Sequence, residues 1–320
     1  MTGGAGFIGS HLADRLIDAG NEVIVLDNFS TGRTRNLSHS LHHPNFELVR
    51  ADVRKIPRSF VKKLRRVDRV CHLAAATSVQ ESVKDPVLTT EVNVIGTLNV
   101  LAAARALKTG RVVFASSAAV YGAPRTFPVS EEAIVSPISP YGASKAASEL
   151  YLRSFEENHG IEAVSLRYFN VYGPKQTPGQ YAGVISIFAK RALNHQPLQI
   201  FGDGSQTRDF IYVSDVVDAT VAALDKNLRS RVYNIASGAE TTILELAKMI
   251  QRIAKSQSES KFSPPLAGDI ARSVADVTRA CNELDFAPKV SLADGLSATI
   301  QWLAQKRSGG SSDQIIRTIE

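Results

Sequence analysis

The stretch MTGGAGFIGSHLADRL, residues 1–16, opens the chain and decides the fold. Gly3, Gly6 and Gly9 recur at every third position, and Gly4, Gly6 and Gly9 also satisfy a G-x-G-x-x-G spacing. Glycine permits positive φ and lets backbone approach a ligand closely. A helix starting near Phe7 and Ile8 turns free N–H groups and the positive end of its dipole toward the loop, which suits a pyrophosphate. Such a loop normally follows a buried strand at the centre of a doubly wound parallel sheet. Only Met1 and Thr2 precede it here. A central strand buries side chains on both faces, at roughly 1.5–3 kcal/mol each. The expectation is that the first β-strand is encoded upstream, with Met1 at the place of a valine whose GTG codon was read as a start.

Outward from the loop, EVIVLD (22–27) reads as a strand ending at Asp27, 18 residues after Gly9. A carboxylate at that place accepts hydrogen bonds from an adenosine ribose and repels a 2′-phosphate. NAD is therefore expected rather than NADP, with Arg33 and Arg35 as the opposing signal. Further strands are read at 46–49, 69–75, 111–117 and 163–170, alternating with helical patterns at 9–20, 93–107 and 141–160. Gly20, Gly110 and Gly160 fall where helices should end. Alternating strands and helices imply an α/β, Rossmann-type doubly wound parallel sheet. Residues 1–169, with about 211–236, form the NAD-binding part. Residues 170–210 and 237–305 read as a smaller interleaved substrate-binding lobe, and 306–320 as a flexible tail. Ser214 is the expected cap of a helix within 214–226.

The composition is that of a globular protein: of 320 residues, 44% are hydrophobic and 21% charged. No run of about 18 apolar residues and no secretory pattern is read, so no membrane span is expected. Two cysteines, Cys71 and Cys281, suit a reduced, cytoplasmic protein. The net charge of +6 is concentrated in 54–66, read as a solvated helix face rather than a nucleic-acid surface. His39, His42 and His43 lack nearby acids or thiols, so no metal site is expected. Cys71 reads as an inert buried thiol, His72 as a satisfied core residue, and Asp14 and Arg15 as solvent-facing.

The chemistry is carried by SPYGASK, which sets Tyr141 and Lys145 four residues apart on one helix face. Ser116 and Ser117 end the strand 111–117, at the sheet edge where ligands bind. A phenol of reference pKa near 10 must fall by about 3 units, roughly 4 kcal/mol, to act as a base near neutrality. A lysine cation about 4 Å away supplies on the order of 4 kcal/mol at an effective dielectric of 20. Ser117 could hydrogen-bond the reacting oxygen and help the proton move.

Through TGGAGFIG, DNFSTG, HLAA, NVIGT, SSAAVYG, YGASK, RYFNVYGP and GDGSQTRDFIYVSD, the chain resembles the extended short-chain dehydrogenases/reductases. Within their NAD-dependent epimerase/dehydratase family it is most similar to the UDP-glucose (UDP-galactose) 4-epimerases. The resemblance implies that Asn28, Ser30, Thr31 and Gly32 join Asp27 at the adenosine ribose and phosphates. It places Asp52 and Val53 at the adenine, and Leu73, Ala74 and Ala75 along the cofactor crevice. Asn93 and Tyr168 would support the nicotinamide side. Asn170, Arg208 and Asp269 would meet the nucleotide sugar, with Gly183, Val184, Gln199 and Phe201 around the uridine.

The implied reaction takes the C4 hydroxyl proton onto Tyr141 while C4 is oxidised, then returns hydride to the other face of the sugar. Ala118 and Ala119 stand where related dehydratases carry an acid. Leu266 replaces a diphosphate-clamping arginine, and Ser273 replaces a tyrosine of narrow epimerases, leaving room for an N-acetyl group. Turnover of UDP-GlcNAc/UDP-GalNAc beside UDP-glucose/UDP-galactose is expected. UDP-glucuronate 4-epimerisation, another nucleotide-sugar epimerase or dehydratase, and a non-catalytic NAD-binding regulator are the alternatives. The family also implies a homodimer built from helices near 80–107 and 142–158.

Overall fold

The computed structural model describes residues 1–64, 66–176, 183–265 and 268–308, with backbone alone for 307 and 308. In chain order the first part holds α1 (Phe7–Asp18), β1 (Val23–Asp27), β2 (Phe46–Arg50), α2 (Arg58–Lys63), β3 (Arg69–His72) and α3 (Val79–Lys84). Next come α4 (Pro86–Thr90), a π turn (Glu91–Ile95), α5 (Gly96–Ala106), β4 (Arg111–Ser117), α6 (Pro140–His159) and β5 (Glu162–Tyr168). The later part holds β6 (Asn170–Tyr172), α7 (Val184–Leu193), β7 (Leu198–Phe201), β8 (Thr207–Arg208), β9 (Phe210–Tyr212) and α8 (Val213–Asp225). It ends with β10 (Val232–Ile235), β11 (Thr241–Thr242), α9 (Ile243–Ile253), β12 (Ser260–Ser263), α10 (Thr278–Leu284) and α11 (Leu292–Ser308).

Two parallel pieces, β2–β1 and β3–β4–β5–β10, make the main sheet, and Thr2 joins them through parallel bridges to Leu26 and His72. Leu26 N donates to Met1 O and Gly3 N to Leu26 O, each at 2.9 Å. On the other side Thr2 N donates to Cys71 O at 2.9 Å, and Leu73 N to Thr2 O at 3.2 Å. The two residues before the glycine loop thus occupy the central strand position. The Met1 ammonium donates to Ile24 O at 2.6 Å, and burial lowers its pKa. His72, held between Thr2 Oγ1 at 2.7 Å and Thr97 Oγ1 at 2.9 Å, is a satisfied core residue whose pKa burial pushes down to about 3.

Successive side chains of a strand point to opposite faces. Val113 and Ala115 of β4 accordingly pack with Val164 and Leu166 of β5 against α1 and α8. Val112, Phe114 and Ala163 face Leu101 of α5 and Leu152 of α6 on the other side. A second core joins α7, α9 and α11 around Phe188, Leu198, Leu246 and Ile300. Ala280 and Leu284 of α10, expected in the smaller lobe, pack instead with Tyr233 and Ile235 under the main sheet.

Several boundaries differ from the sequence reading. The strand read at 69–75 ends at His72, and 163–170 divides at Phe169 into β5 and β6. Ser214 lies inside the first turn of α8, and Tyr212 holds the cap position. Gly20 and Gly160 follow helices with positive φ, but after α5 that conformation falls on Lys108, and Gly110 precedes β4. The helix α11 continues to Ser308, into the stretch read as a tail.

The continuous helical run Pro86–Ala106 is long and apolar enough by length and composition alone to cross a membrane, with an 18-residue window of mean hydropathy 1.4. Its inward polar residues explain its place in the fold: Asn93 bonds Ala76 and Ser144, and Thr97 meets His72.

Candidate active site

Gly3 is required by both conformation and contact, and Gly9 by contact. Gly3 has φ +71°, and a Cβ there would lie 2.6 Å from Ala74 N. A Cβ on Gly9 would lie 2.2 Å from Gly3 O. Gly6 precedes α1 with no side-chain cap, so the first N–H groups of the helix remain open to a ligand. Asp27, at the end of β1, accepts from Ala5 N at 2.9 Å and Phe29 N at 2.8 Å. Burial raises its carboxyl pKa, and these two backbone bonds oppose the rise. Each oxygen keeps lone-pair capacity for a ribose hydroxyl.

A cleft of about 630 Å³ runs from this loop along the C-terminal ends of the strands. Its walls include Gly3, Gly6, Phe7, Ile8, Gly9, Asp27, Asn28, Ser30 and Thr31 at one end. Val53, Leu73, Ala74, Ala75 and Tyr168 line the middle, and Ser116, Ser117, Tyr141 and Lys145 the far end. Three expected residues stand behind the wall instead. Gly32 is pressed on Ala5 and Asp27, where a Cβ would come within 2.9 Å of each. Asp52 accepts from Asn28 Nδ2 at 3.0 Å and from Arg54, which draws its carboxyl pKa down to about 2. Asn93 is buried and braces Ala76.

Sequence reading missed Asn36, Thr77, Val92, Phe169, Val171, Lys175 and Gln176 on this wall. Lys175 is held by Asp14 at 2.7 Å, and Asp14 also accepts from Ser40 at 2.6 Å. Asp14, expected in solvent, is thus half-buried, whereas Arg15 is exposed. The GPKQ run carried the only signal for Lys175 and Gln176, as a loop after a strand.

Tyr141 enters on the first turn of α6, which Ser139 caps through Gly142 N at 3.1 Å. Lys145 follows one turn later and is 3% exposed. Its Nζ donates to Ala115 O at 2.7 Å and lies 4.7 Å from the Phe114 ring centroid and 5.9 Å from that of Tyr141. Burial pushes the Lys145 ammonium down to about 7, and the charge of Glu149 opposes this. The expected lowering of Tyr141 by Lys145 is not what the cleft produces. Burial raises the phenol's pKa, and the hydrogen bond with Ser117 pulls the other way. The lysine's hydrogen bond is spent on β4 rather than on the phenol.

A second, more open cavity of about 890 Å³ lies beside the β7–β12 pair. Phe201, Gln206, Phe262 and Asp269 are among its lining residues. Arg208 forms an ion pair with Asp269 and donates to Ile270 O at 2.6 Å. Gln199 bonds Ser263, Asn170 donates to Asp209 O at 3.0 Å, and Gly183 caps α7 ahead of Val184. None of Asn170, Gly183, Val184, Gln199, Arg208 and Ser273 lines either cavity described here. Leu266 lies outside the described residues. Asp209, fully buried, accepts from Ser237 N at 2.7 Å, Gly238 N at 3.0 Å and Ala275 N at 3.2 Å.

Residues 1–236 match the NAD dependent epimerase/dehydratase family. The chain belongs to that family. A putative UDP-glucose 4-epimerase of Methanocaldococcus jannaschii is 41% identical over 304 residues, 95% of this chain and 97% of that protein. The structure of Thermotoga maritima UDP-glucose 4-epimerase with UDP-glucose superposes with a TM-score of 0.90 at 38% identity, covering 96% of this chain and 98% of the other. The UDP-N-acetylglucosamine 4-epimerase of Methanobrevibacter ruminantium, solved with UDP-N-acetylmuramic acid, gives 0.90 at 37% identity, covering 95% and 97%. The cofactor of the family is NAD, and the glycine contacts, the open α1 N-terminus and Asp27 fit it.

Proposed function

We propose that this chain is a UDP-sugar 4-epimerase acting on UDP-glucose/UDP-galactose and on UDP-GlcNAc/UDP-GalNAc. The observation that carries the reading is the meeting of Ser117, Tyr141 and Lys145 at one end of the cleft whose other end is the glycine loop. NAD⁺, held by the glycine loop and Asp27, would supply the hydride acceptor and then the hydride donor for sugar C4. Tyr141 Oη takes the C4 hydroxyl proton and later returns it. Ser117 hydrogen-bonds the phenol and is placed to meet the same sugar oxygen. Lys145, tied to Ala115 O, keeps a positive charge near the phenol as it ionises. Ala118 and Ala119 follow Ser117 and offer no acid to expel a sugar hydroxyl, which supports epimerisation over dehydration.

Phe201 and Phe262, opposite strands of the β7–β12 pair, offer aromatic faces for a base in the second cavity. Arg208 would reach a diphosphate by exchanging Asp269 for it. The acceptance of N-acetyl sugars rests on the small side chain of Ser273. Exposed Val79, Val83, Val87, Leu88 and Ile95 together with Leu150 and Tyr151 of α6 supply the apolar face of a homodimer.

The test is 4-epimerisation of the four UDP-sugars and UDP-glucuronate by wild type and Tyr141→Phe. Wild type is expected to turn over both neutral pairs, and the variant to lose about 10³-fold or more in kcat. Full activity of Tyr141→Phe would remove the reading, and refusal of both N-acetyl sugars would remove the Ser273 argument.

A further inference from the structure

Behind the Tyr141–Lys145 pair lies a carboxylate that the reading above leaves without a task. Glu149 stands one turn beyond Lys145 on the same face of α6. Its Oε1 accepts from Ser116 Oγ at 2.5 Å and Arg167 Nε at 3.0 Å, and its Oε2 from Arg167 Nη2 at 2.7 Å. The Arg167 and Glu149 side chains are only 5% and 10% exposed. Ser116 and Arg167 face each other in the β4–β5 register. Arg167 is anchored in turn by Tyr121 Oη at 2.9 Å and Glu131 O at 3.2 Å, and Tyr121 donates to Asn234 at 2.6 Å. The carboxylate therefore ties α6 to the end of β4, between Ala115, which accepts from Lys145, and Ser117.

The charged and titratable groups around Lys145 come from two strands, the chain's N-terminus and its own helix. From α6 come Tyr141 and Glu149; from β3 comes His72, which burial keeps neutral; from β5 comes Arg167, paired with Glu149. Beside Lys145 the Met1 ammonium adds a second positive charge at His72. The carboxylate whose charge acts on Lys145 is Glu149.

We propose that Glu149 is a positioning residue of this site: clasped by Ser116 and Arg167, it supplies the negative charge that balances the buried Lys145 ammonium and holds the strand end bearing Ser117 against the helix bearing Tyr141. This rests on the catalytic reading of Tyr141 and Lys145. A buried ammonium without a partner gives up its proton readily. Glu149→Gln keeps the size of the side chain and removes the charge, so Lys145 loses its proton at lower pH.

The experiment is the pH profile of kcat for UDP-galactose in the NAD-bound enzyme. In Glu149→Gln the alkaline limb is expected to move down by about one unit, so that kcat near pH 8.5 falls about tenfold further than near pH 6. Glu149→Asp, which keeps the charge, is expected to return the limb toward its wild-type place even where kcat remains low. Equal loss at every pH in Glu149→Gln overturns the proposal. If that variant does not fold, the wild-type holoenzyme carries the test by NMR. The ¹³C-carboxyl signal of Glu149 is expected to step at the midpoint of the Lys145 Nζ signal, and a Glu149 signal indifferent to that midpoint overturns the proposal. An active Tyr141→Phe would instead overturn the underlying reading, whatever Glu149→Gln does.

Discussion

Replacing Lys145 by methionine is expected to stabilise the protein at pH 6 while abolishing its activity. An ordinary lysine titrates near 10.4, and burial brings Lys145 to about 7. The difference of about 3.5 units, at about 1.4 kcal/mol each, amounts to about 5 kcal/mol for keeping the cation inside the folded chain. Methionine fills similar space without charge but gives up the hydrogen bond to Ala115 O, about 1–2 kcal/mol. The net gain at pH 6 is about 3 kcal/mol. Between about pH 7 and 10.4 the unfolded wild type holds a proton that the folded form has released. Wild-type stability therefore rises with pH across that window, and the advantage of the variant fades. Urea unfolding of both proteins, stripped of cofactor, at pH 6 and pH 10 reads this directly. A Lys145→Met protein less stable than wild type at pH 6, or a difference independent of pH, would refute the burial argument.

Two further substitutions address the loop and the assembly. Gly9→Ala places a Cβ 2.2 Å from Gly3 O and 2.8 Å from Gly4 Cα, so the loop must open. NAD released from the purified variant by acid is expected at under about a tenth of the wild-type content, since the open α1 N-terminus no longer meets the pyrophosphate; normal content would show that the loop yields freely. Leu150→Glu puts a charge at a side chain 71% exposed in the apolar face of α3, α4 and α6. Light scattering is expected to show a dimer in wild type and a monomer in the variant; a wild-type monomer would remove the proposed interface.

What the sequence made legible is what depends on local spacing. The glycine spacing, Asp27 at a strand end, and Tyr141 and Lys145 on one helix face need only helical and extended periodicity. Strand β4 appears with the boundaries read for it, 111–117, because its apolar run stops at two serines. Distances across the fold were not legible. Glu149 and Arg167 belong to different elements 18 residues apart, so no local spacing signals their pairing. The resemblance implied that Asn93 supports the nicotinamide side; its amide donates to Ala76 O and Ser144 Oγ, bonds that no local spacing announces. The sign of the Tyr141 shift also escaped. A charge at i+4 is visible in sequence, but the burial that raises the phenol arises only when the layers pack around it. Thr2 gave no hint that one residue bridges two strands, because a bridge has no periodicity.

Asp209 bears on how the substrate side of the chain is held together. Its carboxylate grips backbone at Ser237, Gly238 and Ala275, while the next residue back, Arg208, holds Asp269 and Ile270. Loss of the Asp209 carboxylate would strand the N–H groups of Ser237, Gly238 and Ala275 without their acceptor, and the backbone that carries Arg208 would lose its anchor.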